Sequence, residues 1–191
     1  MQQNRQELLE VVGESGNVLR LERRDVIHRD GLLNRDVLVW FWNDKGEILF
    51  ERRALTKDTN PGILASTVGG HPNPGETALA CALREIQEET GLIVSPNELV
   101  HVGTGVVCHV DTNGTISNHY RESFAYHWNG EADNLEANPE ETSGWEWWSY
   151  EQMIGMSKDE AITNFGPHIF QPNTQEVLAS VHALFVDRVS R

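Results

Sequence analysis

The stretch GHPNPGETALACALREIQEETGL, residues 70–92, decides the fold. After a PNPG turn it runs from Glu76 to Thr90 with no glycine or proline, then meets Gly91. That order predicts a helix over 76–90 with Gly91 as its left-handed cap. At 100° per residue Glu85, Glu88 and Glu89 stand at i, i+3 and i+4 and project from one face, while Leu79, Leu83 and Ile86 gather on another. One face suits a sheet and the other a cleft. Like charges four residues apart destabilise an isolated helix by a few tenths of a kcal/mol. Arg84 can orient Glu88 one turn on, but a single guanidinium cannot neutralise every carboxylate here, Glu76 included. A solvated acidic face is the plain reading. A hard divalent cation, which prefers oxygen ligands and draws substrate phosphates into its shell, would offset the repulsion.

Upstream, RDVLVWFWN (35–43) and EILFERR (47–53) flank the turn NDKG and read as a hairpin. The polar loop TKDTNPG (56–62) leads to ILASTVGG (63–70), a short strand ending in two glycines. Earlier still, ELLEVV (7–12) and VLRLERRDVI (18–27) read as two strands about the turn GESGNV. Downstream, ELVHVGTGVVCHV (98–110) and HYRESFAYHW (119–128) are further strands joined by DTNG (111–114). The acidic run EADNLEANPEET (131–142) reads as a solvated loop, and WEWWSYEQM (145–153) returns to the core through its tryptophans. Asn173 with Glu176 resembles a capping box ahead of an amphipathic helix over 174–190, carried by Val177, Val181, Leu184, Phe185 and Val189. With no repeat or linker, residues 1–191 read as one domain, with N-terminal strands within 1–30.

Composition excludes several classes. With 39% hydrophobic residues, 23% charged and six tryptophans, the chain is expected to fold. It has no run of 18 apolar residues and no basic-then-apolar leader, so a cytoplasmic location is expected. Cys81 and Cys108 are expected to be buried, reduced thiols. The net charge of −14, from 29 acidic and 15 basic residues, argues against a nucleic-acid polymer or an anionic membrane as partner. It allows a phosphorylated small molecule held through a cation.

Gly70, Glu76 and the run Arg84-Glu85-Ile86-Gln87-Glu88-Glu89-Thr90-Gly91-Leu92 match every fixed position of the Nudix box, G-x5-E-x7-R-E-U-x-E-E-x-G-U, where U is a bulky aliphatic. A chance match is on the order of one in 10⁹ per starting position. On these residues the chain resembles the Nudix hydrolases. The resemblance implies an α/β fold, an α/β/α sandwich with a mixed sheet, and hydrolysis of a nucleoside diphosphate derivative or a similar small-molecule diphosphate. It implies Mg²⁺ or Mn²⁺ bound by Glu85, Glu88 and Glu89, helped by the Gly70 carbonyl, with Arg84 and Glu76 in support. The proton acceptor stays open between Glu88 or Glu89 and a loop residue, for which Glu122, Glu140, Glu141 and Glu146 are candidates. A homodimer is the assembly the resemblance implies.

The flanks IHRDGLLNRDVLVWFWN, ERRALTKDTNPG and GGHPNPGE resemble the branch that includes isopentenyl-diphosphate isomerase. In that branch the equivalents of Arg53 and Lys57 contact the diphosphate, and His28 and His71 take places in a second metal site whose further histidine position falls near Asn34. The isomerases carry a catalytic cysteine where this chain has Gly69, and glycine can neither donate nor accept a proton. Hydrolysis is therefore the expectation, with an isomerase-like enzyme and a non-catalytic ligand sensor as alternatives. Surface charge is the plain alternative to phosphate contact for Arg53 and Lys57, whereas hydrogen-bonded structural histidines are the first reading of His28 and His71.

Overall fold

The computed structural model describes residues 7–57, 60–110 and 114–190. In chain order the elements are β1 (Leu8–Val12), β2 (Val18–Arg23), α1 (Arg24–Asp30), β3 (Asn34–Trp42), β4 (Glu47–Arg53), β5 (Leu64–Ala65), β6 (Val68–Gly70), α2 (Ala78–Thr90), β7 (Leu99–Val110), β8 (Ile116–His127), β9 (Thr142–Ser149), α3 (Tyr150–Gly155), α4 (Lys158–Phe165) and α5 (Pro172–Val189). The nine strands form one mixed sheet.

β3 organises that sheet. Along one edge it pairs in parallel with β8, from Asn34 beside His119 to Trp42 beside His127. Along the other it meets β1 at Asn34, β6 from Val37 to Val39, and β4 at Phe41 and Trp42. Its side chains alternate between two cores. Val37, Val39 and Phe41 pack against Ala78, Cys81, Ala82 and Ile86 of α2. Trp40 and Trp42 pack with Phe165 of α4 and with Leu178 and Val181 of α5. A strand covered on both faces must be apolar at consecutive positions, which accounts for the unbroken run VLVWFW. The result is the three-layer α/β/α arrangement.

β3 and β4 are paired only at Phe41–Leu49 and Trp42–Ile48. Beyond that point β6 continues beside β3, with Gly70 opposite Val37, and β5 continues beside β4, with Ala65 opposite Glu51. A cleft opens where the two strands part. Ser66 and Thr67 break the expected single strand 63–70 into β5 and β6. The buried Thr67 hydroxyl donates to the Leu49 carbonyl and accepts the Phe41 N–H at 2.9 Å, tying together the ends of the fork.

Several boundaries differ from the sequence reading. Extended structure after Val18 stops at Arg23; Arg24–Asp30 is helical, closed by Gly31 at φ 64. α2 begins at Ala78, because Thr77 is the cap and its hydroxyl accepts the Ala80 N–H at 3.2 Å, which leaves Glu76 outside the helix. α5 begins at Pro172 after Gln171 with no side-chain cap, so the expected Asn173–Glu176 box does not form. The tryptophan-rich return is β9 followed by α3, and α4 was not anticipated. Cys81 is buried as expected, whereas Cys108 is exposed on β7. Residues 58–59 of the TKDTNPG loop and 111–113 of the DTNG turn lie outside the described residues.

Candidate active site

Gly70 and the α2 carboxylates meet at the mouth of the cleft. A Cβ at Gly70 would lie 2.0 Å from Glu85 Oε1, so only glycine lets the β6 backbone lie against that carboxylate. At the far end of the helix Gly91 has φ 74 and its N–H bonds to the Gln87 carbonyl, the cap expected from the sequence.

Arg84 gathers three of the acids. Its guanidinium donates to both Glu76 oxygens at 3.1 and 3.0 Å, to Glu85 at 2.8 Å and to Glu88 at 3.0 Å, and it also donates to the His71 carbonyl at 3.2 Å. This bidentate hold pulls the Glu76 carboxyl below its usual range. Glu76 also accepts the Asn73 N–H at 2.8 Å, so the PNPG turn locks the arginine. Glu88 is 58% exposed and stands outside the cleft wall, whereas Glu85 and Glu89 are part of that wall.

Among the described residues no arginine pairs with Glu89. Burial pushes its carboxyl well above the usual value; the Glu51 and Glu85 carboxylates add to this, and a hydrogen bond from the Gly69 backbone N–H opposes it. Burial likewise raises Glu85 against the pull of Arg84. Glu51, on β4, is driven to about 7, chiefly by burial, with Arg53 and Lys57 opposing. Strand alternation explains its place: Leu49 packs in the α2 core, so Glu51 and Arg53 face the same side, into the cleft, while Arg52 faces away and pairs with Glu146.

Of the four candidates expected on loops, Glu122 lies on β8 and Glu146 on β9, and only Glu141 reaches the cleft. Its carboxylate is ion-paired with Lys57. Glu122 is bound to Arg35 at 3.4 Å, Glu146 is bound to Arg52, and Glu140 is exposed in the turn after Asn138. The acidic run 131–142, expected to be solvated throughout, therefore sends one side chain into the site. Arg53 and Lys57 both line the cleft.

A second group of polar residues lies deeper. His28, His71 and His119 form a triangle with ring centroids 6.4, 6.5 and 5.7 Å apart. Asn34 donates its amide nitrogen to the Leu32 and Asn118 carbonyls, so its oxygen accepts from His119 Nδ1 at 3.3 Å and fixes that ring's tautomer. Burial holds His71 well below the ordinary histidine value and His119 at about 4, so both are neutral at pH 7. Asp36 completes the floor: burial works to raise its carboxyl, but Arg121 at 2.5 Å brings it below the usual range.

The sequence reading missed Glu51, His119 and Arg121. A period-of-two signal was present: Glu51 with Arg53 on β4, and Ser117, His119 and Arg121 on β8, all line the cleft. Among the described residues no three histidine, cysteine, aspartate or glutamate side chains form a ready-made cation cage. The donor chemistry nonetheless fits a hard cation: Glu85 and Glu89 bring two carboxyl groups to one wall of the cleft, and of the two Arg84 pairs with Glu85. Neither cysteine lines the cleft. A Cβ at Gly69 would lie 2.8 Å from Leu38 Cδ2, the tip of a side chain that can rotate away.

A family model described as NUDIX domain matches residues 32–169. The chain is 35% identical over 139 residues to an isopentenyl-diphosphate Delta-isomerase of Streptomyces coelicolor, covering 72% of this chain and 68% of that one. It is also 35% identical to the protein of the same name from Streptomyces griseus, where it spans 59% of the relative's length and 61% of its own. Its fold resembles DR0079 from Deinococcus radiodurans, with a TM-score of 0.61, 23% identity, and coverage of 82% of this chain and 96% of that one. A NUDIX hydrolase from Nitrosomonas europaea matches with a TM-score of 0.55 and 19% identity over 78% of this chain and 88% of the other.

Proposed function

Since the chain belongs to the Nudix family, we propose that it is a divalent-metal-dependent hydrolase of a diphosphate linkage in a nucleoside diphosphate derivative or similar small molecule. The observation that carries this reading is the complete box, folded so that Glu85 and Glu89 wall a cleft without a cysteine. A bound Mg²⁺ or Mn²⁺ would neutralise phosphate charge and lower the pKa of an attacking water. Glu85, Glu88, Glu89 and the Gly70 carbonyl would hold it, and Glu76 keeps Arg84 in place beside them. Arg53 and Lys57 grip the diphosphate, and of the proposed loop bases Glu141 is the one within the cleft.

The test is a substrate screen with Mg²⁺ or Mn²⁺, covering ADP-ribose, dinucleoside polyphosphates, nucleotide sugars, NADH, coenzyme A, nucleoside triphosphates and isoprenoid diphosphates. Phosphate or nucleotide release is expected, abolished by EDTA and largely lost in Glu88→Gln and Glu89→Gln with the fold intact by circular dichroism. Full turnover in EDTA, or wild-type rates in both variants, would refute the site. Ligand binding with no turnover on any compound would favour a sensor.

A second reading is an isomerase-like enzyme, favoured by the names of the Streptomyces relatives and by the cluster His28, His71 and His119. Gly69 speaks against it, because the expected thiol position carries no proton-transferring group. Incubating isopentenyl diphosphate with the protein in heavy water separates the two: no deuterium enters the recovered substrate if hydrolysis is the activity.

A further inference from the structure

Lys57 is both a cleft-lining cation and the partner of Glu141. Its side chain is 12% exposed whereas that of Glu141 is 50% exposed, so the carboxylate covers an ammonium that is largely withdrawn from water. An ammonium with so little access to water is stabilised by an anion beside it. We propose that Glu141 occupies the phosphate position at Lys57 in the substrate-free protein and is displaced by the incoming diphosphate.

The backbone around Glu141 is pinned. Its carbonyl accepts the Ala54 N–H at 3.0 Å, its own N–H donates to Asn138 at 2.8 Å, and the next residue, Thr142, donates its hydroxyl to the Arg52 carbonyl at 3.1 Å. Lys57 is anchored in turn, its N–H donating to the same Ala54 at 3.1 Å. Ala54 therefore fixes the two backbones in register, and the exchange is a side-chain rotation with no opening of the loop. Glu141 is the member able to leave, because half of its side chain already faces solvent and the carboxylate gains hydration when released. A diphosphate offers Lys57 more negative charge than one carboxylate and can also reach Arg53, so it wins the site despite the repulsion of the acidic chain. Without a diphosphate, the same carboxylate keeps other anions off Lys57.

This inference rests on the diphosphate reading above, and the test separates the two. Calorimetric titration of the intact protein with methylenediphosphonate and Mg²⁺ is expected to show about two- to fivefold tighter binding in Glu141→Gln, the range a partly exposed ion pair commands. Glu140→Gln removes the same charge one residue away, outside the cleft, and is expected to match wild type. In a Lys57→Met background, Glu141→Gln is expected to add nothing. Unchanged or weaker binding in Glu141→Gln, or an equal gain in Glu140→Gln, overturns the exchange; weakening by Lys57→Met in that case leaves the diphosphate reading standing. Failure of the wild-type protein to bind methylenediphosphonate overturns both.

Discussion

At the scale of single residues, Glu51 is a carboxyl that the fold holds at a disadvantage. Burial raises it to about 7 from 4.5, so the folded chain keeps a proton that the unfolded chain releases. Stability from this group is complete below pH 4.5 and is lost as pH rises through about 7. Glu51→Gln is therefore expected to stabilise the metal-free protein at pH 8 by up to about 3 kcal/mol, with little effect near pH 5, as read by urea unfolding. Substrate affinity makes a second expectation. Arg53→Met and Lys57→Met should each raise KM about tenfold to a hundredfold while changing kcat less, since a diphosphate carries its charge in ground and transition states alike. Unchanged KM in both would reduce them to surface charge. Glu85, Glu88 and Glu89 could be found by spacing along one helix. Alternation along β4 and β8 shows which residues share a face with Glu51 and with His119, but that those faces meet in one cleft depends on how both strands are arranged about β3. Glu140 and Glu141 are chemically identical neighbours, and only the turn at Asn138 decides which one enters the cleft.

Among the elements, α2 carries the site and depends on its ends. Thr77→Ala removes the acceptor for the Ala80 N–H and is expected to cost about 1 kcal/mol in chemical unfolding. Because Glu76 and the PNPG turn lie just beyond that cap, the same change should lower metal affinity more than a substitution of equal cost elsewhere. If affinity is untouched, the cap is structural only. Helix α2 and strand β4 were legible because their signals are local: Gly91 needs its left-handed conformation, and β4 occupies Glu47–Arg53 as read. Helix α1 was hidden, since Val26 and Ile27 favour strands and the seven-residue helix is held by tertiary contact, with Ile27 packed beside Leu9 and Val11. The start of α5 was displaced for a similar reason: proline at its first turn defines the entry better than the Asn173–Glu176 spacing does.

On the scale of the whole molecule, a formal charge of −14 and buried acids at Glu85 and Glu89 make cation binding and stability one problem. Millimolar Mg²⁺ is expected to raise Tm, and to raise it more as pH rises, because burial favours the protonated form of Glu89, which must lose its proton to serve as a ligand. A pH-independent shift would place the cation elsewhere. Strand β3 adds a kinetic consequence. Its parallel partner β8 lies some 85 positions along the chain, as between Asn34 and His119. The pairing that completes the sheet must therefore wait for a large loop to close, and folding should be slow for a chain of this size. Once closed, the amides of Val37 to Val39 have strands on both flanks, β6 and β8, and should exchange with deuterium only by global opening. Those of β2 at the sheet edge should exchange early. Gly70, on β6, sits opposite Val37 in that protected segment, so the backbone floor beneath the acids should be among the last parts of the molecule to come apart.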